Sequence, residues 1–253
     1  MHRVLVSRNQ AYTMENITSM NKKQIRYRPL SHGLEILYED RDLLVVNKPA
    51  GLLTVKTETE KTRTVHYILT DYVRKGNPKS QNQIFTVHRL DQWTSGVLIF
   101  AKSEAVKESL KSRWEEIKKT YIAAVHGQLT AKEGVIVSYL AENPRHVVYS
   151  TPDATKGKLA RTEYKVLKEK GDFSLLEINL LTGRKNQIRV HLAEKGHPVV
   201  GDRKYGDNKD EFSRLALHSR SIRFPHPVRD ELMTVEAKVP SCFRKLVGAI
   251  AGL

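Results

Sequence analysis

Residues 85–102 read FTVHRLDQWTSGVLIFAK and contain two apolar runs separated by a polar loop. The runs at residues 85–90 and 97–102 are rich in β-branched and aromatic side chains, a composition that predicts two strands. The loop between them carries Asp91, the one carboxylate of the stretch, and Arg89 and His88 lie just before it. We therefore take this loop as the candidate active site.

The chain is strongly basic. Its 253 residues include 43 Lys and Arg against 28 Asp and Glu, a formal net charge of +15 that is spread along the sequence. Such a surface predicts a polyanionic partner. No apolar run approaches the roughly 18 to 20 residues needed to span a bilayer, so nucleic acid is favoured over a membrane as that partner.

Cysteine content and the start of the chain indicate a reducing, cytoplasmic compartment. The single cysteine, Cys242, excludes an internal disulfide framework and a multi-cysteine zinc site. The apolar run at residues 4–6 is too short for the central region of a secretory signal.

The hydrophobic pattern predicts an arm followed by a single domain. Residues 1–30 are polar and basic and lack sustained periodicity, so we expect an N-terminal arm, and no linker divides residues 31–253. Periodicity predicts helices over residues 64–75, 103–117 and 182–196 and after Pro240. Further strands are predicted at residues 34–38, 43–46, 120–125, 135–137, 146–149, 162–167, 173–181, 215–218 and 233–237.

Roughly a dozen short strands and three or four helices, joined by many hairpin-length turns, indicate an α+β fold. We expect a large mixed, mostly antiparallel sheet with helices packed on it. The order of the strands does not follow from periodicity.

Three polar residues have specific expected environments. Lys48 ends a strand just before Pro49 and is expected to be a solvated loop cation, and His66 beside an apolar helical stripe is expected to be structural. Arg189 lies between Ile188 and Leu192, which face the core. An unpaired guanidinium there would be costly, so Arg189 should have an acidic partner.

Asp91 alone allows several kinds of chemistry. An aspartate in such a loop can be a nucleophile, a general base, a metal ligand or a turn residue, and the last is the most common. Arg89 beside it and Arg189 elsewhere would hold the carboxylate ionised by lowering its pKa. This arrangement favours a nucleophile.

Several enzyme classes are excluded by missing motifs. A protein kinase would need a glycine-rich loop and an Asp-Phe-Gly sequence, and NTP hydrolysis would need a P-loop; neither occurs. A zinc deaminase needs several cysteines. A metal-dependent nuclease needs clustered carboxylates, and Asp91 has no second acid nearby in sequence.

Three stretches taken together resemble the RNA pseudouridine synthases of the RluA-like branch. They are LLVVNKPAGLL at residues 43–53, HRLD with TSG at residues 88–96, and TGRKNQIRVHL with GHP and GD at residues 182–202. Lys119-Thr120-Tyr121 lies between the second and third, and Leu217-His218 follows. Each piece is weak evidence, but the set in this order is specific.

The resemblance implies a role for each matching residue. Asp91 corresponds to the catalytic nucleophile, Arg189 to the arginine paired with it, and Tyr121 to the tyrosine beside the base. Arg89 corresponds to the arginine that occupies the gap left by a flipped uridine, and Ile188 to a wall of the uracil pocket. We also expect three further contacts with the substrate: His88, Arg184 and Lys185.

The implied activity is isomerisation of specific uridines to pseudouridine in structured tRNA or rRNA, by base flipping in a central catalytic cleft. It requires no cofactor and no metal, and we expect a monomer with no obligate protein partner. The chain departs from the pattern at Asn186, where the family more often has histidine; we expect little catalytic effect. It also lacks room for an N-terminal RNA-binding domain of the S4 kind. The rival interpretation is a non-catalytic RNA-binding or RNA-chaperone protein on the same fold.

Overall fold

A computed structural model describes residues 28–206 and 212–250, and within these ranges a single sheet contains twelve strands. Four α-helices accompany it: α1 Val65–Arg74, α2 Glu104–Ser112, α3 Gln187–Glu194 and α4 Ser241–Val247. The strands are β1 Arg28–Pro29, β2 Glu35–Glu39, β3 Leu43–Lys48, β4 Phe85–Thr86, β5 Ser95–Ala101, β6 Lys118–His126, β7 Glu133–Glu142, β8 Val148–Thr151, β9 Lys158–Lys170, β10 Phe173–Leu180, β11 Leu217–Pro225 and β12 Leu232–Glu236. The expected arm at residues 1–30 lies almost entirely outside the described residues.

The strands follow the order β1-β2-β3-β5-β11-β6-β10-β9-β7-β8, with β12 paired to β11 and β4 paired to β5. Every pairing is antiparallel except that of β5 with β11. The prediction of a large mixed, mostly antiparallel sheet with helices is therefore confirmed. The parallel contact matters most for the site, because it places the start of β5 beside β11 and β6 in the middle of the sheet.

The central strands are buried on both faces. In β3, Leu44 and Val46 join a core that also contains side chains of α1 and α4, whereas Leu43 and Val45 join a second core with side chains of α2 and β12. Strands buried on two faces read as continuous apolar runs instead of alternating ones. This burial explains the uninterrupted hydrophobic sequence of residues 97–101.

Gly96 allows the close approach of β5 to β11. Its φ is +113°, and a Cβ at this position would lie 2.1 Å from the carbonyl oxygen of Ser219. Ser219 pairs with Gly96 on one side and with Tyr121 of β6 on the other. The loop that enters β5 is thus brought close to the middle of β6.

Two predicted helices are shorter than their patterns suggest. Ser103 caps α2 by accepting a hydrogen bond from Val106 N (3.2 Å), as expected, but α2 ends at Ser112 and is followed by a 3-10 turn at Trp114–Glu116. The helix predicted over residues 182–196 is limited to α3, because Asn186 before it has a φ of +52°. A left-handed residue cannot lie inside a right-handed helix.

Some strand limits also differ. The apolar run at residues 85–90 forms a strand only at β4. The strand expected at residues 215–218 begins at Leu217 and continues through Pro225. Within residues 28–206 and 212–250, no helix has the length and apolar character needed to cross a membrane.

Candidate active site

Asp91 lies in a turn that is firmly attached to its surroundings. The amide of Thr94 donates to the carbonyl oxygen of Asp91 (3.1 Å) and closes the turn. The carbonyl oxygen of Gln92 accepts hydrogen bonds from the amide of Gly51 (2.9 Å) and from Nζ of Lys48 (2.8 Å). The turn is therefore joined to the end of β3, and the Asp91 side chain is left 28% exposed.

Arg189 on α3 joins two carboxylates. Its Nη1 contacts Oδ2 of Asp91 at 3.0 Å, while Nε and Nη2 each lie 2.7 Å from an oxygen of Asp202. The expectation that Arg189 has an acidic partner is confirmed, with two partners. Burial alone would raise the pKa of Asp202, but the hydrogen bonds and charge of Arg189 outweigh it and lower that pKa.

Asn186 supplies a second donor to the same carboxylate. Its Nδ2 lies 2.6 Å from Oδ2 of Asp91, and its Oδ1 accepts a hydrogen bond from the hydroxyl of Tyr205 (3.1 Å). A carboxylate only accepts, so the amide nitrogen must face Asp91. The left-handed backbone of Asn186, which asparagine tolerates better than most residues, turns the side chain toward the loop.

Both donors bind the same oxygen of Asp91. Among the described residues, none donates a hydrogen bond to Oδ1. The carboxylate is thus held through one oxygen, and the other is open on a partly exposed side chain. This geometry suits a nucleophile whose free oxygen must reach a substrate atom.

Tyr205 contacts both residues that bind Asp91, Arg189 and Asn186. The guanidinium carbon of Arg189 lies 5.0 Å from the centre of the Tyr205 ring, and the Tyr205 hydroxyl also accepts a hydrogen bond from the amide of Val148 (3.1 Å). The backbone amide of Tyr205 donates to Asp202 (3.1 Å). Sequence reasoning missed Tyr205, although its position three residues after Asp202 of the third motif was a usable signal.

Tyr121 lies in the middle of β6 and is only 6% exposed. Burial raises the pKa of its hydroxyl to about 12; a hydrogen bond with Ser219 opposes this shift, and the charge of Asp91 adds to it. The phenol is therefore neutral at physiological pH. Ile188 is buried and belongs to the same hydrophobic core as Tyr121.

Arg89 is exposed, and within the described parts of the chain its side chain makes no hydrogen bond or ion pair. It is free to contact a ligand. Arg184 and Lys185 are also exposed, but Arg184 Nε donates to the carbonyl oxygen of Leu159 (3.0 Å) and Lys185 pairs with Glu142.

His88 is engaged by the fold. Its Nε2 accepts a hydrogen bond from the amide of Ile99 (3.1 Å), and its ring lies 5.4 Å from that of Trp114. Burial, with the charge of Lys119, lowers the pKa of His88 to about 3. A neutral ring bound to β5 argues against the substrate contact expected from the sequence.

Lys48 is the largest departure from the sequence expectation. Instead of being solvated it is fully buried, and its Nζ donates to the carbonyl oxygens of Pro49 (2.9 Å), Leu52 (2.8 Å) and Gln92 (2.8 Å). Burial lowers the pKa of Lys48 to about 7, with Asp91 opposing and Arg214 assisting the shift. Lys48 holds the loop of Asp91 against the end of β3.

Asp40, Asp42 and His226 form the cluster of described residues whose spacing could suit a metal ion. Oδ2 of Asp40 already accepts hydrogen bonds from Tyr38 (2.6 Å), His226 (2.8 Å) and Arg229 (2.9 Å). A cation would have to displace the guanidinium. The cluster therefore has a structural role: it joins the β2–β3 turn to the segment between β11 and β12.

Residues 42–194 match a family model described as RNA pseudouridylate synthase. The chain is 37% identical over 217 residues to the uncharacterized RNA pseudouridine synthase YhcT of Bacillus subtilis strain 168, covering 84% of this chain and 71% of that protein. It is 35% identical over 221 residues to the dual-specificity RNA pseudouridine synthase RluA of Escherichia coli K12, covering 83% and 94%.

A solved structure shares the fold. Human RNA pseudouridylate synthase domain containing 1 has a TM-score of 0.67 and 27% identity, covering 84% of this chain and 86% of that one. The likeness extends over most of the sheet and is not confined to the motifs around Asp91.

Proposed function

The chain belongs to the RNA pseudouridine synthase family, and from that premise we propose that Asp91 is the nucleophile that isomerises a uridine within RNA. The observation that carries this proposal is the binding of Arg189 and Asn186 to the same oxygen of Asp91. Two donors to Oδ2 fix the orientation of the carboxylate and leave Oδ1 to face the substrate. Asp202 holds Arg189 in place with two further hydrogen bonds.

Isomerisation breaks the bond between N1 of the base and C1′ of the ribose and joins C1′ to C5. The atoms of the nucleotide are conserved, so no redox partner, ATP or metal ion is part of the proposed reaction. We place the uracil ring between Asp91 and the buried side chains of Tyr121 and Ile188, which belong to the same hydrophobic core. The Tyr121 ring supports stacking of the uracil. Once C1′ has joined C5, the proton on C5 must leave, and the neutral Tyr121 hydroxyl can carry it away by accepting it while it passes its own proton on.

A base in a stacked strand is not accessible to Asp91, so the uridine must be extruded. Arg89 is exposed and has no side-chain partner among the described residues, and its planar guanidinium suits the vacated place in the stack. Arg184 and Lys185 extend the positive surface toward the phosphates, and their existing protein contacts would hold them in place.

For the substrate we propose structured tRNA or rRNA, since a net charge of +15 favours a long polyanion. The name of the RluA relative states dual specificity for that protein, which supports considering more than one target RNA here. We further propose that residues 31–253 act as one catalytic domain, as a monomer in the cytoplasm and without an obligate partner.

The test is Asp91→Asn, assayed by release of tritium from RNA whose uridines are labelled at C5. We expect release to fall to background while RNA binding stays within about twofold. Asp172→Asn is the matched control, because Asp172 is exposed in the β9–β10 hairpin and its side chain has no partner within the described residues. Full activity of Asp91→Asn would overturn the assignment, and absence of release from the unmodified protein on every RNA tested would favour a non-catalytic RNA-binding protein.

A further inference from the structure

Trp93 is an exposed indole in an otherwise well-packed loop. Half of its surface is open to solvent, whereas Leu90 and Thr94 on either side of the turn are buried. The other tryptophan of the chain, Trp114, packs against His88 and lies under Nζ of Lys119 at 4.5 Å. Packing of this kind does not account for Trp93, because half of its surface is exposed.

Hydrogen bonds on both sides of the turn hold the backbone that carries Trp93. Besides the bonds to the Gln92 carbonyl, the side-chain amide of Gln92 donates to the carbonyl oxygen of Gly51 (3.1 Å). A Cβ at Gly51 would lie 3.3 Å from Cζ3 of Trp93, so the absence of a side chain lets the indole lie against this backbone. Little further ordering is needed before Trp93 contacts a ligand, which favours binding.

The same turn sets the distance from Trp93 to the nucleophile. Trp93 is the third residue of this turn. Because consecutive Cα atoms are about 3.8 Å apart, its Cα lies within about 7.6 Å of that of Asp91. Stacked nucleotides rise by roughly 3.4 Å each. A base one or two nucleotides from the target uridine is thus within reach of the indole.

We propose that Trp93 is a stacking platform for an unpaired nucleobase beside the target uridine. The inference rests on the proposed function, since it takes the substrate at Asp91 to be RNA. An indole stacks on any of the four bases, but the base must have a face that no neighbouring base covers. Trp93 therefore selects uridines in loops or bulges over those within a helix. The exposed Arg89 lies on the same loop, and the two residues would act separately: Arg89 fills the place that the flipped uridine leaves, and Trp93 stacks on the unpaired base beside it.

Fluorescence provides a direct test. In a Trp114→Phe protein, Trp93 is the sole tryptophan, and we expect a short oligouridylate to quench its emission in a saturable way. An abasic oligonucleotide of equal length carries the same phosphates and should not quench. In a Trp93→Phe protein, the remaining Trp114 should respond to neither. Equal quenching by the two oligonucleotides, or none by oligouridylate, would overturn the proposal.

Kinetics provide the second test, with tritium release from labelled tRNA and rRNA transcripts. Trp93→Ala should raise KM roughly tenfold with kcat within about twofold, because stacking beside the target contributes equally before and during the reaction. Trp93→Phe keeps a ring face and should recover most of the loss. If Trp93→Ala has the wild-type KM and an unchanged melting temperature, the stacking role is wrong, while the proposed function of Asp91 is unaffected. Full activity of Asp91→Asn would instead overturn the proposed nucleophile, whatever Trp93 does.

Discussion

Asn186 and Asp91 are joined by a 2.6 Å hydrogen bond from the amide nitrogen to the carboxylate oxygen that Arg189 also contacts. The two residues are 95 positions apart and come from a turn before α3 and a turn before β5. The Tyr205 hydroxyl fixes the other end of the amide. The residue at which this chain departs from the family pattern is therefore in direct contact with the proposed nucleophile.

The first prediction concerns this contact. Asn186→Gly removes the amide while glycine accepts the left-handed backbone without strain, so the fold should be retained. A hydrogen bond to a charged group contributes about 1.5 to 3 kcal/mol, and we expect kcat for tritium release to fall roughly tenfold or more with KM little changed.

Asn186→His tests whether a donor is what matters. A histidine can donate to the carboxylate, so this variant should regain much of the activity that Asn186→Gly loses. Equal activity of Asn186→Gly and the unmodified protein would show that Arg189 alone positions Asp91.

The second prediction concerns the buried ion pair behind the site. The Asp202 side chain is fully buried and that of Arg189 is 11% exposed, so Asp202→Asn leaves a buried guanidinium with one carboxylate fewer. Removing one partner of such a pair costs about 3 to 5 kcal/mol, which chemical denaturation should detect as a lower free energy of unfolding. Activity should fall as well, because the amide nitrogen that replaces Oδ2 cannot accept the hydrogen bond from Nε of Arg189.

Glu104→Gln is the comparison for Asp202→Asn. Glu104 pairs with Lys107 on the surface of α2 and its side chain is 55% exposed, so its loss should cost less than about 1 kcal/mol. Similar losses of stability in the two variants would contradict the view that the Arg189–Asp202 pair supports the site.

Local patterns predicted most elements, and the reason is visible in single residues. Thr64 caps α1 by accepting a hydrogen bond from the amide of Tyr67 (3.1 Å), and Val65, Ile68 and Leu69 face the core at helical spacing. These features depend on neighbours within a few positions. The pairing of β5 with β11 does not, because its partners are more than a hundred residues apart, and no periodicity encodes it.

The same distinction applies to the site. Arg189 was expected to need an acid because its own helix buries it, but Asp202 as the second partner followed only from the fold. Lys48 was expected to be solvated because it ends a strand just before Pro49. This expectation was wrong because the three carbonyl oxygens that bind Lys48 come from residues 49, 52 and 92, which only the fold brings together. The residues next to Lys48 in the sequence, which include Pro49 and Gly51, give no indication that three carbonyl oxygens surround its ammonium group.

The third prediction concerns pH. The folded-state pKa of His88 is about 3, below the usual value of 6.5, so the unfolded chain takes up a proton near pH 6 and the folded chain does not. The stability contributed by neutral His88 is therefore complete above pH 6.5 and is lost as pH falls from there toward 3, at up to about 1.4 kcal/mol per pH unit. His88→Gln keeps an acceptor for the Ile99 amide but does not titrate. Its free energy of unfolding should fall less steeply between pH 6.5 and 4 than that of the unmodified protein, and parallel curves would show that another group causes the acid sensitivity.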